Sequence, residues 1–132
     1  MSHQPADATT EVVLDLGEKA EKGQVFVAIY ESEADFKDEK ILYGTSQKVA
    51  GESELTIEIP ALSPAVYGIA VYYDKNGNDK LDSNAFGIPK EPYGFAGEPA
   101  SKWRRPKWEE ISTQLGDQER ELRITLKRWK DR

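Results

Sequence analysis

Apolar and polar residues alternate with a period of two along much of this chain, and helical periodicity is nearly absent. Such alternation is typical of strands with one buried face, because successive strand side chains point to opposite faces. Five segments show this period-two strand pattern, with one or both faces apolar: Glu11–Leu16, Gln24–Tyr30, Leu55–Ile59, Tyr67–Tyr73 and Glu121–Lys127. Weaker candidates are Ile41–Tyr43, Gln47–Ala50 and Trp108–Leu115. The pattern predicts an all-β fold, an antiparallel β-sandwich of about seven strands.

Two local patterns refine this prediction. Gln24–Tyr30 is apolar on both faces, which predicts a central strand. Ser32 and Asp35 have the spacing of a capping box, with the acid shortened to Asp, so a single helical turn is expected over Ser32–Phe36.

The composition excludes several kinds of chemistry. The chain has 132 residues, no cysteine, and a single histidine, His3. A disulfide framework, a thiol nucleophile, a histidine-based triad and a zinc site of the usual ligands are therefore not expected. Apolar runs are too short to predict a transmembrane segment. We expect residues 1–10 to be a disordered N-terminal segment and residues 11–130 to form a single domain.

Charge is distributed unevenly. Residues 1–100 carry a net charge of −10 and residues 101–132 a net charge of +4. Either the C-terminal strand lies beside an acidic body, or it forms a basic edge that binds anions. Because the domain is acidic overall, nucleic acid is not expected as a partner.

The segment Asp74–Pro106 is rich in proline and glycine and shows no clear strand pattern. An irregular segment of this length within a domain is usually functional or disordered. Its aromatic residues, Phe86, Tyr93, Phe95 and Trp103, argue against disorder. We therefore expect one long ordered loop, pinned to the body by its own side chains.

The start of this loop has the spacing of a calcium site. Oxygen-bearing side chains stand at loop positions 1, 3, 5 and 9, which are Asp74, Asn76, Asn78 and Asp82, and the main-chain carbonyl of Lys80 falls at position 7. Ca²⁺ takes six to eight oxygen ligands in proteins, and a tightly wound loop can direct alternate residues to one centre. The sequence therefore predicts Ca²⁺ as a bound cofactor.

The pattern departs from the EF-hand loop at two positions. Asp79 replaces the usual glycine at position 6, and Ala85 replaces the bidentate glutamate at position 12. The alternative interpretation is a solvated turn rich in Asn and Asp, since Asn-Gly is itself a strong hairpin signal.

A second candidate site lies in the Gly87–Trp108 segment. Tyr93, Phe95 and Trp103 could stack against a carbohydrate or a peptide, and Arg104 and Arg105 could hold an anionic group. The alternative is a structural lid in which the aromatic side chains cover one end of the core.

Catalysis has little support in the sequence. Asp82 and Glu91 are conceivable partners in a hydrolase, but carboxylate separation cannot be read from their spacing. No phosphate-binding glycine loop and no Gly-x-Ser-x-Gly motif is present. We predict no catalytic residue and a protein that is not an enzyme.

Three consecutive motifs resemble those of the bacterial domain-of-unknown-function family 2141. They are Leu-Ser-Pro-Ala-Val-Tyr-Gly-Ile-Ala-Val at 62–71, Tyr-Asp-Lys-Asn-Gly-Asn-Asp-Lys-Leu-Asp at 73–82, and Asn-Ala-Phe-Gly-Ile-Pro-Lys-Glu-Pro-Tyr-Gly-Phe at 84–95. The resemblance is specific over about 35 residues. Ala65 and Asp79 stand where that family usually has glycine.

The resemblance implies a small sandwich of the prealbumin-like or immunoglobulin-like Greek-key kind. It also implies an exported protein, periplasmic or secreted, with an envelope glycan or protein as a possible partner. The Asp74–Asp82 loop further resembles calcium loops in B-type repeats of bacterial surface adhesins. The spacing Leu62-x-Pro64-x-x-Tyr67 resembles a tyrosine corner, in which a tyrosine hydroxyl bonds to a nearby backbone group.

Overall fold

The computed structural model describes residues 8–16, 23–74, 92–97, 99 and 106–127. They form eight strands and two short helices. In chain order these are β1 (Ala8–Asp15), β2 (Gly23–Tyr30), α1 (Glu33–Lys37), β3 (Tyr43–Val49), β4 (Glu54–Leu62), β5 (Ala65–Asp74), β6 (Tyr93–Phe95), α2 (Trp108–Ile111), β7 (Ser112–Leu115) and β8 (Arg120–Thr125).

The strands form two sheets that enclose one core. The smaller sheet has the order β4-β1-β8, and the larger has β3-β2-β5, with β6 and β7 both paired to the far edge of β5. The inward-facing side chains are almost entirely aliphatic and fully buried, among them Val12, Leu14, Val25, Val27, Ile29, Ile57, Ile59, Ile69, Val71, Leu115 and Ile124. The prediction of an all-β sandwich is confirmed.

The predicted antiparallel arrangement is wrong for one strand pair. β1 and β8 run parallel, with Val12 opposite Leu122 and Leu14 opposite Ile124, whereas the other pairings among the described strands are antiparallel. Parallel pairing requires a long crossover connection, and the chain between β1 and β8 contains the whole larger sheet. Alternation alone does not distinguish parallel from antiparallel partners.

The weakest strand predictions need correction. Ile41–Tyr43 and Gln47–Ala50 are not separate, because Tyr43–Val49 is one strand. Its middle residues are polar, since β3 lies at an edge of the larger sheet and only one side of it is paired among the described strands. Trp108–Leu115 is not one strand either, because its first four residues form α2.

The ends of the predicted regions also shift. β1 begins at Ala8, so the last three residues of the segment expected to be disordered belong to a strand. The rest of that segment, residues 1–7, lies outside the described residues. β6 lies within the segment for which the sequence showed no strand pattern, because three residues are too few for alternation to be recognised.

The helical turn and the central strand are confirmed. The Ser32 side-chain oxygen accepts a hydrogen bond from the backbone N–H of Asp35 at 3.1 Å, which caps α1. β2 lies between β3 and β5, and both of its faces are covered. Within the described residues, no helix is long and apolar enough to cross a membrane.

The two sheets are joined at the β6 edge. Tyr93 is opposite Tyr72 of β5 on one side, and on the other it exchanges backbone hydrogen bonds of 3.0 and 3.1 Å with Lys127, just beyond β8. A Cβ atom on Gly94 would lie 2.8 Å from both the Ile124 side chain and the carbonyl oxygen of Thr125. A residue without a side chain is needed at this close approach of strands from different sheets.

Candidate functional site

The long loop starts and ends at neighbouring positions of the larger sheet. β5 extends to Asp74, whose backbone is opposite Gln24 of β2. The chain returns at Pro92, whose carbonyl oxygen accepts a 2.9 Å hydrogen bond from the N–H of Tyr73. Residues 75–91 therefore connect two adjacent antiparallel strands, and the sheet fixes both ends of the connection.

The predicted calcium ligands fall at and beyond the first of these ends. Asp74 is the last residue of β5, and the structure describes its backbone. Its side chain, and all of Asn76, Asn78, Lys80 and Asp82, lie outside the described residues, as does Glu91. In the part of the chain that is described, no group of three or more His, Asp or Glu side chains could hold a metal ion.

The predicted ligand-binding residues separate into two groups. Tyr93 and Phe95 lie on the same face of β6, with ring centroids 5.8 Å apart in an edge-to-face arrangement. Tyr93 is buried, and Phe95 is partly buried against the body. These contacts favour the structural role for both rings. Trp103, Arg104 and Arg105 lie outside the described residues.

Phe95 belongs to an aromatic layer on the outer face of the larger sheet. A row of small residues in register crosses this face, with Gly44, Ala28 and Ala70 on successive strands and Phe95 at its end. The adjacent row contains Phe26 and Tyr72, whose ring centroids are 5.3 Å apart. The face is therefore apolar although it lies outside the sandwich core.

The two short helices cover the other side of this row. Phe36 of α1 packs edge-to-face on Tyr30 with ring centroids 5.2 Å apart, and it contacts Trp108 of α2 at 6.4 Å. A Cβ atom on Gly68 would lie 2.6 Å from the Trp108 ring, so this glycine allows the indole to lie on the sheet. The sequence pattern did not predict one cluster of Phe26, Tyr30, Phe36 and Tyr72. The sequence feature that could have predicted the cluster is the second apolar face of β2 and β5.

Charged side chains dominate the outer face of the smaller sheet. Glu11 in the middle strand is directly opposite both Glu58 and Glu121, so three glutamates form one row. Arg123 donates a 2.8 Å hydrogen bond to Glu54 across the same face, and this hydrogen bond raises the pKa of the Arg123 guanidinium. At this position the C-terminal strand lies beside acidic groups, as one of the two interpretations of the charge pattern predicted.

A second ion pair closes the turn before β8. Arg120 contacts Asp117 at 3.2 Å, and the side-chain hydrogen bond lowers the pKa of the Asp117 carboxyl below its usual value. Both groups lie at the surface, with 30% of the Arg120 side chain and 39% of the Asp117 side chain exposed. This shift reflects a structural ion pair.

Two packed sheets, an aromatic outer layer and a long connection between adjacent strands define a small β-sandwich protein. The chain belongs to the family described as "Uncharacterized protein conserved in bacteria (DUF2141)", whose model matches residues 16–123. The resemblance seen in the sequence motifs is therefore confirmed. Comparison with curated proteins and with solved structures gave no significant match.

Proposed function

We propose that this protein is a non-enzymatic, calcium-stabilised β-sandwich whose ion is bound by the loop between β5 and β6. The ligands are the side chains of Asp74, Asn76, Asn78 and Asp82 and the main-chain carbonyl of Lys80. The observation that carries the proposal is the hydrogen bond from the N–H of Tyr73 to the carbonyl of Pro92, because it places both ends of the ligand-bearing loop on one rigid frame.

Holding both ends of the loop on adjacent strands favours ion binding, because closing a loop costs conformational entropy. Residues 75–91 link two adjacent strands, and ordering a Pro- and Gly-containing segment of this length costs conformational entropy that a bound ion would offset. A divalent ion that binds five groups within nine residues cross-links the first half of the connection. Its binding free energy then contributes directly to the stability of the folded state.

The same ion would also stabilise the second half of the connection between β5 and β6. It leads into β6, a strand of only three residues that joins β5 to the chain beyond β8. A short strand at the end of a long loop is sensitive to the order of that loop. We therefore expect calcium to stabilise the seam between the two sheets as well as the loop.

Thermal unfolding with and without Ca²⁺ tests the proposal. At a hundredfold excess over the dissociation constant, one ion stabilises the fold by about 2.7 kcal/mol. For a domain of this size that raises Tm by about 10 °C. The variant Asp74→Ala should lose this increment.

Asp38→Ala is the matched control, because Asp38 is an exposed aspartate beyond the end of α1 and is remote in sequence from the loop. It should retain the full calcium response. An unchanged Tm of the wild-type protein at millimolar Ca²⁺, or equal responses from the two variants, would overturn the proposal.

We further propose that the protein acts outside the cytoplasm, in the periplasm or after secretion. This rests on the family resemblance, and millimolar external calcium would suit a site with only two carboxylate ligands. Fractionation of cells expressing the tagged, intact gene product tests it. Recovery of the protein in the cytosolic fraction alone would contradict it.

A second candidate function is the binding of a carbohydrate, peptide or anionic ligand on the aromatic side of the larger sheet. It is favoured by the half-buried rings of Phe26, Tyr72, Phe95 and Trp108, which lie on that one side. A ligand stacking there should quench tryptophan fluorescence, and Phe95→Ala should weaken binding more than Phe36→Leu. A glycan and peptide panel that leaves the fluorescence unchanged would remove this candidate.

A further inference from the structure

In the part of the chain that the structure describes, β3 is the edge strand on one side of the larger sheet. β3 pairs with β2 over its whole length, from Tyr43 opposite Ile29 to Val49 opposite Gly23. Among the described residues, no strand pairs with its other side. A seven-residue strand thus presents backbone N–H and carbonyl groups suited to pairing with another strand.

One of the two edge strands of the smaller sheet, β4, is protected in a way that β3 is not. β4 carries two exposed glutamates, Glu54 and Glu58, and Pro60, which cannot donate a backbone hydrogen bond. β3 contains no proline and no acidic residue, and its one charge is Lys48. Charges and proline are the usual means by which strand edges avoid pairing with other chains.

We propose that β3 pairs antiparallel with β3 of a second copy of this chain, about a two-fold axis at Ser46. In this register Gly44 is opposite Lys48, Thr45 is opposite Gln47, and Ser46 is opposite itself. No like charges face each other, although the strand carries a lysine. The two larger sheets become one continuous sheet, with their aromatic outer faces on the same side.

The residues just before β3 support a second copy as the occupant. Ile41 and Leu42 are 45% and 47% exposed, and they are two of the three large apolar side chains most exposed in the described chain. The two-fold register places Leu42 beside Ala50 of the second copy at each end of the strand pair. Dimerisation thus covers apolar surface at both ends of the strand pair.

Sedimentation velocity over a wide range of protein concentration, from about 1 µM to about 1 mM, tests the proposal. The wild-type chain should shift from monomer to dimer within this range. Ser46→Lys and Ser46→Glu should each weaken dimerisation by about tenfold or more, because two like charges then face each other at the axis. An equimolar mixture of the two variants should form a heterodimer, since the opposite charges then pair.

Thr56→Lys is the control, because Thr56 is exposed on β4 of the other sheet and the substitution adds the same charge away from β3. It should dimerise like the wild type, and circular dichroism should show all four proteins folded. A wild-type chain that stays monomeric throughout, a Ser46→Lys variant that dimerises normally, or a variant mixture that remains monomeric would each overturn the proposal.

Discussion

The hydroxyl of Tyr67 donates a 2.6 Å hydrogen bond to the carbonyl oxygen of Ser63, four residues earlier in the chain. The bond spans the point at which the chain leaves β4 in the smaller sheet and enters β5 in the larger one. The ring of Tyr67 lies in the core, so the bond ties a surface turn to buried structure. This geometry confirms the tyrosine corner that the spacing of Leu62, Pro64 and Tyr67 predicted.

Replacing Tyr67 with phenylalanine should destabilise the fold by about 1 kcal/mol, because the ring is kept and the hydrogen bond to Ser63 is lost. Urea denaturation gives the difference in unfolding free energy. Tyr43→Phe is the control, since Tyr43 is partly exposed and its hydroxyl has no hydrogen bond among the described residues. Equal costs for the two variants would contradict the role given to the corner.

Gly94→Ala should destabilise the fold more than Gly44→Ala. The new methyl group at 94 would lie 2.8 Å from the Thr125 carbonyl oxygen, a backbone atom held in the seam between the sheets. At 44 the nearest atom, also at 2.8 Å, is the far end of the Phe26 ring, which can move aside. We expect about 2–3 kcal/mol at 94 and a smaller cost at 44. Denaturant unfolding measures the loss of unfolding free energy in each variant. A larger loss for Gly44→Ala than for Gly94→Ala would contradict the close approach of β6 and β8.

Glu11→Gln should stabilise the protein, because Glu11 lies between Glu58 and Glu121 in one cross-strand row. Removing the central charge relieves two like-charge contacts, for a gain of about 0.5 kcal/mol. The gain should shrink in about 1 M salt, where screening is strong. Glu39→Gln changes the net charge equally, in the turn after α1 and outside the sheet, and should show no such gain. Loss of stability in Glu11→Gln at low salt would refute this account of the charged face.

The carboxyl of Asp117 should titrate with a pKa below its usual value of 3.8, because Arg120 donates a hydrogen bond to it. A lowered pKa favours the folded state when the carboxyl is ionised. The contribution is therefore present at neutral pH and is lost as the pH falls through the lowered pKa. An NMR titration measures it, and Arg120→Gln should return the pKa towards the usual value. An Asp117 pKa that is the same in both proteins would show that the contact is absent in solution.

Strand positions with one buried face were predictable from the sequence, and edge and short strands were not. β2, β4 and β5 alternate because their inner faces meet the core, and the pattern located each within a few residues. β3 and β6 escape the pattern for different reasons. β3 is mostly exposed, so its fold does not require apolar and polar side chains to alternate. β6 has too few residues for alternation to be recognised. The parallel pairing of β8 depends on chain crossover, which local periodicity does not encode.

The helix α2 was mispredicted because a local cap and a tertiary contact stabilise it. The side chain of Glu110 accepts a 2.8 Å hydrogen bond from the N–H of Lys107, and the Trp108 ring packs over Gly68. Neither contact is visible in the periodicity of Trp108–Leu115. For the candidate site, the sequence predicted the spacing of the proposed ligands. The structure adds that both ends of the loop are held on adjacent strands.

Isothermal titration calorimetry of the protein with Ca²⁺ shows whether the loop between β5 and β6 binds the ion. We expect saturable binding of one ion per chain. Asp82→Ala should weaken or abolish this binding, because it removes one of the two proposed carboxylate ligands, whereas Asp117→Ala should leave it unchanged. Absence of binding heat at millimolar Ca²⁺ and at more than one temperature, or binding that survives Asp82→Ala unaltered, would contradict the claim that this loop is a calcium site.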